Sequence, residues 1–345
     1  MTVHFASQTE IQNWNSLIIK NPDGGNIFQA NGFARTKESY NWTPHYLVAN
    51  DLFMLILERK IPILGNYWYM PKGPGVLDAD NLKMILPELR EFAKQNDVFF
   101  IKLEPQFIKT EDTLIKLQEL GLSIRHGVQV PNTVILDISA NIDDIVASFS
   151  PKTRYNIRSA KKANVTTEVV PITKESCVLF YDLLVKTIHG RAHMRNFQYY
   201  EKFWMSHGET GSGIFLFAKS GENIISMNFI TILGAKAVRK DAASTREFDV
   251  RGASALLEVA TIEYLKEKGV TEYDLCGTPP SDQIKNQDHP YYGVGSFKTG
   301  FNSNVTDFIG CCDFIIKPTA YKIWNKIGER VAKKLYQCKY HDSYY

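Results

Sequence analysis

Cysteine is scarce and unpatterned in this chain. Its 345 residues include five, Cys177, Cys276, Cys311, Cys312 and Cys338. None falls in a C-x-x-C pair, so neither a disulfide framework nor a zinc knuckle is indicated, and a reducing cytoplasm is the expected home. No apolar run approaches the ~18 residues a membrane span needs. The best candidate, Leu52 to Leu57, is strand-sized. The opening Met1-Thr-Val-His-Phe-Ala-Ser has no basic stretch leading into an apolar one, so no signal peptide is expected. Excess charge of one sign is also missing: 40 Lys and Arg against 37 Asp and Glu leave +3. That excludes a histone-like polycation and an acidic disordered chain, but not a local patch that meets a polyanion. Low-complexity segments, long linkers and sustained heptads are lacking too.

What is present is a chain of ordinary globular composition, 44% hydrophobic and 22% charged. Its length gives a prior of two domains, at about 150 residues each. Tyr46 to Val48 and Leu52 to Glu58 read as strands around Asn50-Asp51, with further extended pieces at Ile61 to Leu64 and Tyr67 to Met70. Leu82, Ile85, Leu86, Leu89, Phe92 and Ala93 then recur at helical spacing, and the strand Val98 to Leu103 follows. The second half repeats this order. Ile214 to Ala218, Ile224 to Leu233 and Lys236 to Ala243 form a meander. A helix carrying Ala253, Leu256, Leu257, Ala260, Tyr264 and Leu265 follows, ending at Gly269, and then the strand Val270 to Leu275. Meander, helix, strand, twice over, predicts a two-lobed α+β protein with the seam near residue 148.

Several clusters are candidates for chemistry. Ser150 and Pro151 open a predicted helix whose Arg154, Arg158, Lys161 and Lys162 share a face with no acid within the segment. That points to phosphate contact, with a solvated helix face as the bland alternative. His189 and His193 are four apart, but Gly190 stands where a zinc-protease helix needs its acid, so no metal is expected. Arg195 and Tyr199, also four apart, can grip a phosphate or carboxylate together or pack as a rim pair. Gly277 to Ser296 reads as a long loop, leading to Gly293-Val-Gly-Ser-Phe-Lys-Thr-Gly-Phe301. This string is not the GxxxxGK[ST] of an ATP-binding loop. Asp249-Val-Arg-Gly-Ala-Ser254 lacks the spacing of the CoA pyrophosphate turn in GNAT acetyltransferases. Glu104, Asp241 and Asp274 lie at predicted strand ends.

An ordered set of motifs carries a resemblance. Lys152-Thr-Arg-Tyr-Asn-Ile-Arg158 continues through Lys161-Lys-Ala-Asn-Val165. Phe297-Lys298 precedes Gly300-Phe301 and is reached from Tyr273-Asp-Leu-Cys-Gly277. Pro71-Lys-Gly-Pro74, Lys102-Leu-Glu-Pro105 and Gln129-Val-Pro131 before Thr133 to Asp137 complete the set. Together they resemble the Fem-type (FemA, FemB, FemX) aminoacyltransferases over nearly the whole chain. The resemblance implies an α+β fold of two GNAT-like domains in tandem, with residues 1–148 plus a returning tail 310–345 as domain 1 and residues 149–309 as domain 2. Only Met205 to Gly213 separates the Tyr199-to-Trp204 helix from the next strand, which resembles the short type without a coiled-coil arm.

It further implies transfer of an amino acid from aminoacyl-tRNA to the stem-peptide amine of UDP-MurNAc-pentapeptide or its lipid-linked form. The setting would be the cytoplasm or the inner face of the membrane, with peripheral membrane contact left open, without a cofactor, a metal or a membrane span, and a monomer is favoured. By motif position Lys37, Arg195 and Tyr199 match residues holding the acceptor. Lys298, after Phe297, matches the family's catalytic lysine, and Glu104 lies where a base has been suspected. A strand position often lined with tyrosines reads Arg239-Lys240-Asp241 here. Arg154, Arg158 and Lys161 would face tRNA phosphate.

The chemistry is self-consistent. An amine attacking an ester puts negative charge on the carbonyl oxygen, which a lysine ammonium stabilises, and the ester brings its own activation. Glu104, Asp241 or the tRNA's own hydroxyl can take the amine proton. Two other classes stay open from sequence: a GNAT-like N-acyltransferase using another activated donor, and a non-catalytic protein binding a nucleotide sugar or tRNA.

Overall fold

The computed structural model describes residues 2–188, 194–245, 247–248 and 250–345. The chain divides into two compact units, Met1–Pro131 with Phe308–Tyr345, and Asn132–Asp307. Unit 1 opens with strands β1 (Val3–Phe5), β2 (Thr43–Ala49), β3 (Leu52–Ile61), β4 (Gly65–Met70), β5 (Val98–Leu103) and β6 (Ser123–Arg125). Unit 2 contains β7 (Asn132–Thr133), β8 (Ile135–Asp137), β9 (Thr166–Val170), β10 (Gly213–Ser220), β11 (Asn223–Leu233), β12 (Lys236–Ser244), β13 (Glu272–Asp274) and β14 (Thr306–Asp307). The chain then returns to unit 1 as β15 (Cys311–Ile315), which inserts between β5 and β6.

The duplication is explicit in the topology. Unit 1 has the sheet order β1-β2-β3-β4-β5-β15-β6, and unit 2 has β8-β13-β12-β11-β10-β9. Each sheet has one parallel pair, β4/β5 in the first and β12/β13 in the second. In each case a helix makes the crossover that parallel neighbours require: Ala79–Gln95 in unit 1 and Ala253–Glu267 in unit 2. The first helix buries Leu82, Ile85, Leu86, Leu89 and Ala93 against the sheet. The second ends at Gly269 with φ +77°, a left-handed turn that costs glycine nothing, and the Val270 amide closes back on the Leu265 carbonyl at 3.0 Å.

In unit 2 the strand alternation sorts two layers. Leu216 and Ala218 of β10 face the helix Ala253–Glu267. Phe215 of β10 faces an aromatic layer with Phe180 and Trp204, from the helices Lys174–Ile188 and Phe197–Glu209.

Three features depart from the sequence reading. Only Ile61 of the piece Ile61 to Leu64 is extended; the rest is the β3–β4 turn, with Ile63 at φ +71° and fully exposed. The stretch Gly277 to Ser296 is not structureless: it holds a 3-10 turn at Ser281–Gln283 and leads into a helix, Tyr292–Lys298. Residues 132–148, placed in the first lobe from sequence, belong with unit 2, because β8 pairs with β13.

Candidate active site

Lys298 is the last residue of the helix Tyr292–Lys298, and its side chain is 6% exposed. Its ammonium donates to the main-chain carbonyls of Cys276 and of Gly277, the latter at 2.6 Å. Those carbonyls follow β13, just past Asp274, the last residue paired with β12, through Val238. Lys298 therefore sits where the one parallel pair of the sheet comes to an end. Burial, with the positive charge of Arg239 adding to it, lowers the Lys298 pKa to about 7. Phe297 beside it packs edge-on against Phe301, with ring centroids 5.1 Å apart.

A bulge interrupts β12, the strand paired with β13. The β11/β12 register pairs Phe229 with Asp241 and Ile230 with Arg239, so Lys240 is the inserted residue. The insertion sends neighbours to opposite faces. Arg239 turns toward the helix Ala253–Glu267 and forms a buried ion pair with Glu258. Glu258 also accepts from Tyr273 Oη at 2.8 Å and Asn228 Nδ2 at 3.1 Å. The Arg239 guanidinium lies 5.4 Å from the Phe297 ring centre. Asp241 points to the other layer, where it accepts from Trp204 Nε1 at 2.9 Å, and Lys240 lies 3.6 Å from Asp241 Oδ1 and 5.5 Å from the Phe203 ring. Burial alone would push the Lys240 ammonium down, but Asp241, Cys276 and Tyr199 together hold its pKa up.

Arg195 and Tyr199 come together as their spacing suggests: the Arg195 guanidinium stacks 4.0 Å over the Tyr199 ring. Tyr199 belongs to the helix Phe197–Glu209, which Asn196 caps by accepting from the Tyr199 amide at 3.0 Å. The Arg195–Tyr199 stack and the Lys240–Asp241 pair both belong to unit 2, as does Lys298. His189, Arg191 and His193 lie outside the described residues, as does Asp249.

The basic helix Pro151–Lys162 has Ser150 as its N-cap, accepting from the Thr153 amide at 3.2 Å. Its start is tied to the Lys298 segment through the Ser150 amide, which donates to the Gly300 carbonyl at 2.9 Å. Arg154 Nη1 donates to the carbonyls of Ala147 and Phe149, both at 2.6 Å, and so closes the preceding helix Ile142–Ser148. Arg158, Lys161 and Lys162 are exposed.

Two site candidates belong to unit 1. Glu104 follows β5 and is fully buried, with Oε2 accepting from Tyr69 Oη at 2.5 Å and Oε1 from the Gln129 amide at 2.8 Å. Lys37 is buried on the helix Asn31–Glu38, its ammonium 5.3 Å over the Phe33 ring. Among the described residues no cluster of His, Cys, Asp and Glu forms a metal-binding set.

Glu258 is the site residue that reading the sequence missed. Its signal was present: an acid within the run Ala255-Leu-Leu-Glu-Val259, where a buried carboxylate needs a partner. Asp274 has partners of its own, Thr133 Oγ1 and the Cys276 amide at 2.7 Å.

Comparison with known proteins places the chain. The FemAB family model matches residues 7–119, 115–220 and 216–328. A lipid II:glycine glycyltransferase of Staphylococcus aureus is 22% identical, over 91% of this chain and 94% of its own. The crystal structure of FemX superposes with a TM-score of 0.79 at 20% identity, covering 94% of this chain and 99% of that one. L-PGS from Bacillus licheniformis follows with a TM-score of 0.54 at 14% identity, covering 94% and 98%. The expected α+β fold of two GNAT-like domains in tandem is borne out. Thr210 to Ser212 alone join the helix Phe197–Glu209 to β10, leaving no room there for a coiled-coil arm. With its family model spanning nearly the full length, the chain belongs to the FemAB family.

Proposed function

We propose that this protein is an acyltransferase of peptidoglycan synthesis. It moves an amino acid from aminoacyl-tRNA to the stem-peptide amine of a precursor carried on a diphosphate, either UDP-MurNAc-pentapeptide or the lipid-linked form. The similarity to a relative named for glycine transfer to lipid II supports that acceptor class. The observation that carries the reading is Lys298, a buried ammonium fixed by two carbonyls at the end of the parallel strand pair.

An ammonium has three N–H groups. Two hold Lys298 in place, and the third is available to the oxygen that becomes negative as the amine attacks the ester. Fixed donors of this kind act without reorganising during the reaction. The lowered proton affinity of Lys298 also suits it to give a proton to the departing ribose oxygen. Asp241 is our choice to receive the proton of the attacking amine. It belongs to the same unit as Lys298, and its Oδ1 is 3.6 Å from Lys240, beyond hydrogen-bond length. Glu104, by contrast, has both oxygens engaged within unit 1. Arg195 and Tyr199 hold the precursor, and Arg158 and Lys161 meet tRNA phosphate, with Arg154 ordering the start of their helix.

The direct test incubates the protein with a mixture of tRNAs charged with labelled amino acids and each precursor form in turn. Label entering either precursor supports the reading. Label entering neither refutes it.

The pH profile is a second check. Lys298 loses its proton at lower pH than an ordinary lysine, at about 7, and the protonated form is the active one. The value of kcat/KM should therefore fall as pH rises through about 7. A rate that climbs through the same window would require neutral Lys298 and contradict the assigned role. For Arg195→Ala, affinity for UDP-linked precursor should fall about tenfold or more, since a hydrogen bond to a charged group is worth ~1.5–3 kcal/mol. Unchanged affinity in calorimetric titration would remove Arg195 from the site.

A further inference from the structure

The C-terminal helical run from Pro318 to Tyr340 has three faces. One is buried in unit 1 through Tyr321, Trp324 and Tyr336. A second is aliphatic and faces outward: Ile323, Ile327, Val331 and Leu335 follow one another at steps of four, with exposures of 48%, 49%, 49% and 65%. Through the π-helical turn Trp324–Gly328 and the α-helix Glu329–Tyr340 after it, steps of four keep these side chains on one side of the run. The third face carries Lys322, Lys326, Arg330 and Lys334, all exposed. Among the described residues no carboxylate pairs with these four cations. The single acid of the run, Glu329, is taken by Lys333 at 2.9 Å and by Tyr345 Oη at 2.9 Å.

A solvated helix surface normally intersperses acids with bases and leaves no continuous row of exposed branched aliphatics. Cations bordering an aliphatic stripe match a surface with anionic headgroups above acyl chains. The same cations would also suit nucleic acid, but single-stranded RNA is gripped by aromatic stacking, and Ile323, Ile327, Val331 and Leu335 offer none. A second copy of this helix would set cations against cations. No helix among the described residues is long and apolar enough to cross a membrane, so contact of this kind lies on the surface.

We propose that this helix is a membrane-docking element, seating Ile323, Ile327, Val331 and Leu335 at the acyl boundary of an anionic bilayer while Lys322, Lys326, Arg330 and Lys334 meet its headgroups. Docking holds the protein at the surface on which a lipid-linked acceptor would be presented. It does not depend on the proposed transfer activity, and its test uses no substrate.

The full-length protein is sedimented with vesicles of phosphatidylglycerol and phosphatidylcholine mixed equally, and with pure phosphatidylcholine. Binding to the anionic vesicles should exceed binding to the neutral ones at least tenfold and weaken as salt rises. Two sets of surface substitutions separate the faces: Ile327→Gln with Val331→Gln and Leu335→Gln, and Lys322→Gln with Lys326→Gln, Arg330→Gln and Lys334→Gln. Glutamine keeps helix propensity, and circular dichroism verifies that each variant folds. Each set should lower vesicle affinity at least tenfold. The proposal is overturned if the wild type ignores anionic vesicles, or if the aliphatic set binds them as well as the wild type does. It is equally overturned if the basic set loses uncharged tRNA binding while keeping vesicle binding.

Discussion

Replacing Lys298 by alanine should lower kcat by about 10²–10³-fold, the usual loss when one fixed oxyanion donor is removed. The dissociation constant for the precursor should stay within about twofold, because a donor used only in the transition state adds little to ground-state binding. In the proposed role, the two carbonyls that Lys298 engages, those of Cys276 and Gly277, hold the donor in place. Arginine at this position should not rescue activity, since its planar fork cannot replace a compact ammonium in a buried niche.

Replacing Lys298 by methionine, of similar volume, should not cost stability. Lys298 has a folded pKa of about 7 against an ordinary 10.5. Between those values the unfolded chain binds more protons than the folded one, so this residue makes stability rise with pH across the window. Below about 7 the cost of burying its charge is complete. Lys298→Met removes that cost and should melt no lower than the wild type at pH 6. Inactive yet fully folded protein is the signature of a catalytic role. A large rise in precursor dissociation constant with unchanged kcat would assign Lys298 to binding instead.

Glu258→Ala should destabilise unit 2 by about 3–5 kcal/mol, because it strands a buried guanidinium. Arg239 is 6% exposed, and Glu258 is fully buried. Removing the acid also leaves Tyr273 Oη and Asn228 Nδ2 without their acceptor. The double substitution Arg239→Met with Glu258→Leu should recover most of that loss, since an apolar pair of similar volume dispenses with both desolvated charges. Urea unfolding followed by circular dichroism measures both proteins. A loss below about 1 kcal/mol for the single variant would mean that Arg239 finds another partner or reaches water, and would contradict a buried, mutually dependent pair.

The pair also matters for Lys298. Arg239 pushes its proton off and Glu258 draws it on, and Arg239 is the stronger influence. The run Arg239-Lys240-Asp241 therefore bears on the electrostatics at the lysine. Its contacts with acceptor are a separate matter.

Local periodicity made much of the fold legible. Both meanders, both crossover helices and the cap at Ser150 could be read because hydrophobic spacing and turn chemistry are written within a few residues of the structure they make. The contact between Arg195 and Tyr199 was legible from their spacing of four. What stayed hidden depends on distant pairing. That β8 joins β13 rather than the first sheet is decided across more than 130 residues, and nothing near Ile135 announces it. The helix Tyr292–Lys298 was unreadable for a different reason. Its two glycines argue for a loop, yet Gly295 is required because a Cβ there would meet Pro279 Cδ at 2.7 Å. Packing here outweighs propensity. The bulge at Lys240 was equally silent: alternation alone puts Arg239 and Asp241 on one face, and the inserted residue separates them.

The most direct test of the account is the mass of the precursor after reaction, with the acyl donor as the only variable. UDP-MurNAc-pentapeptide and its lipid-linked form are incubated with the protein and either charged tRNA or the acyl-CoA thioester of the same amino acid. One precursor should gain the mass of a single amino-acid residue with charged tRNA, and none when the tRNA is first digested with ribonuclease. A gain from the thioester, with none from charged tRNA, would contradict it.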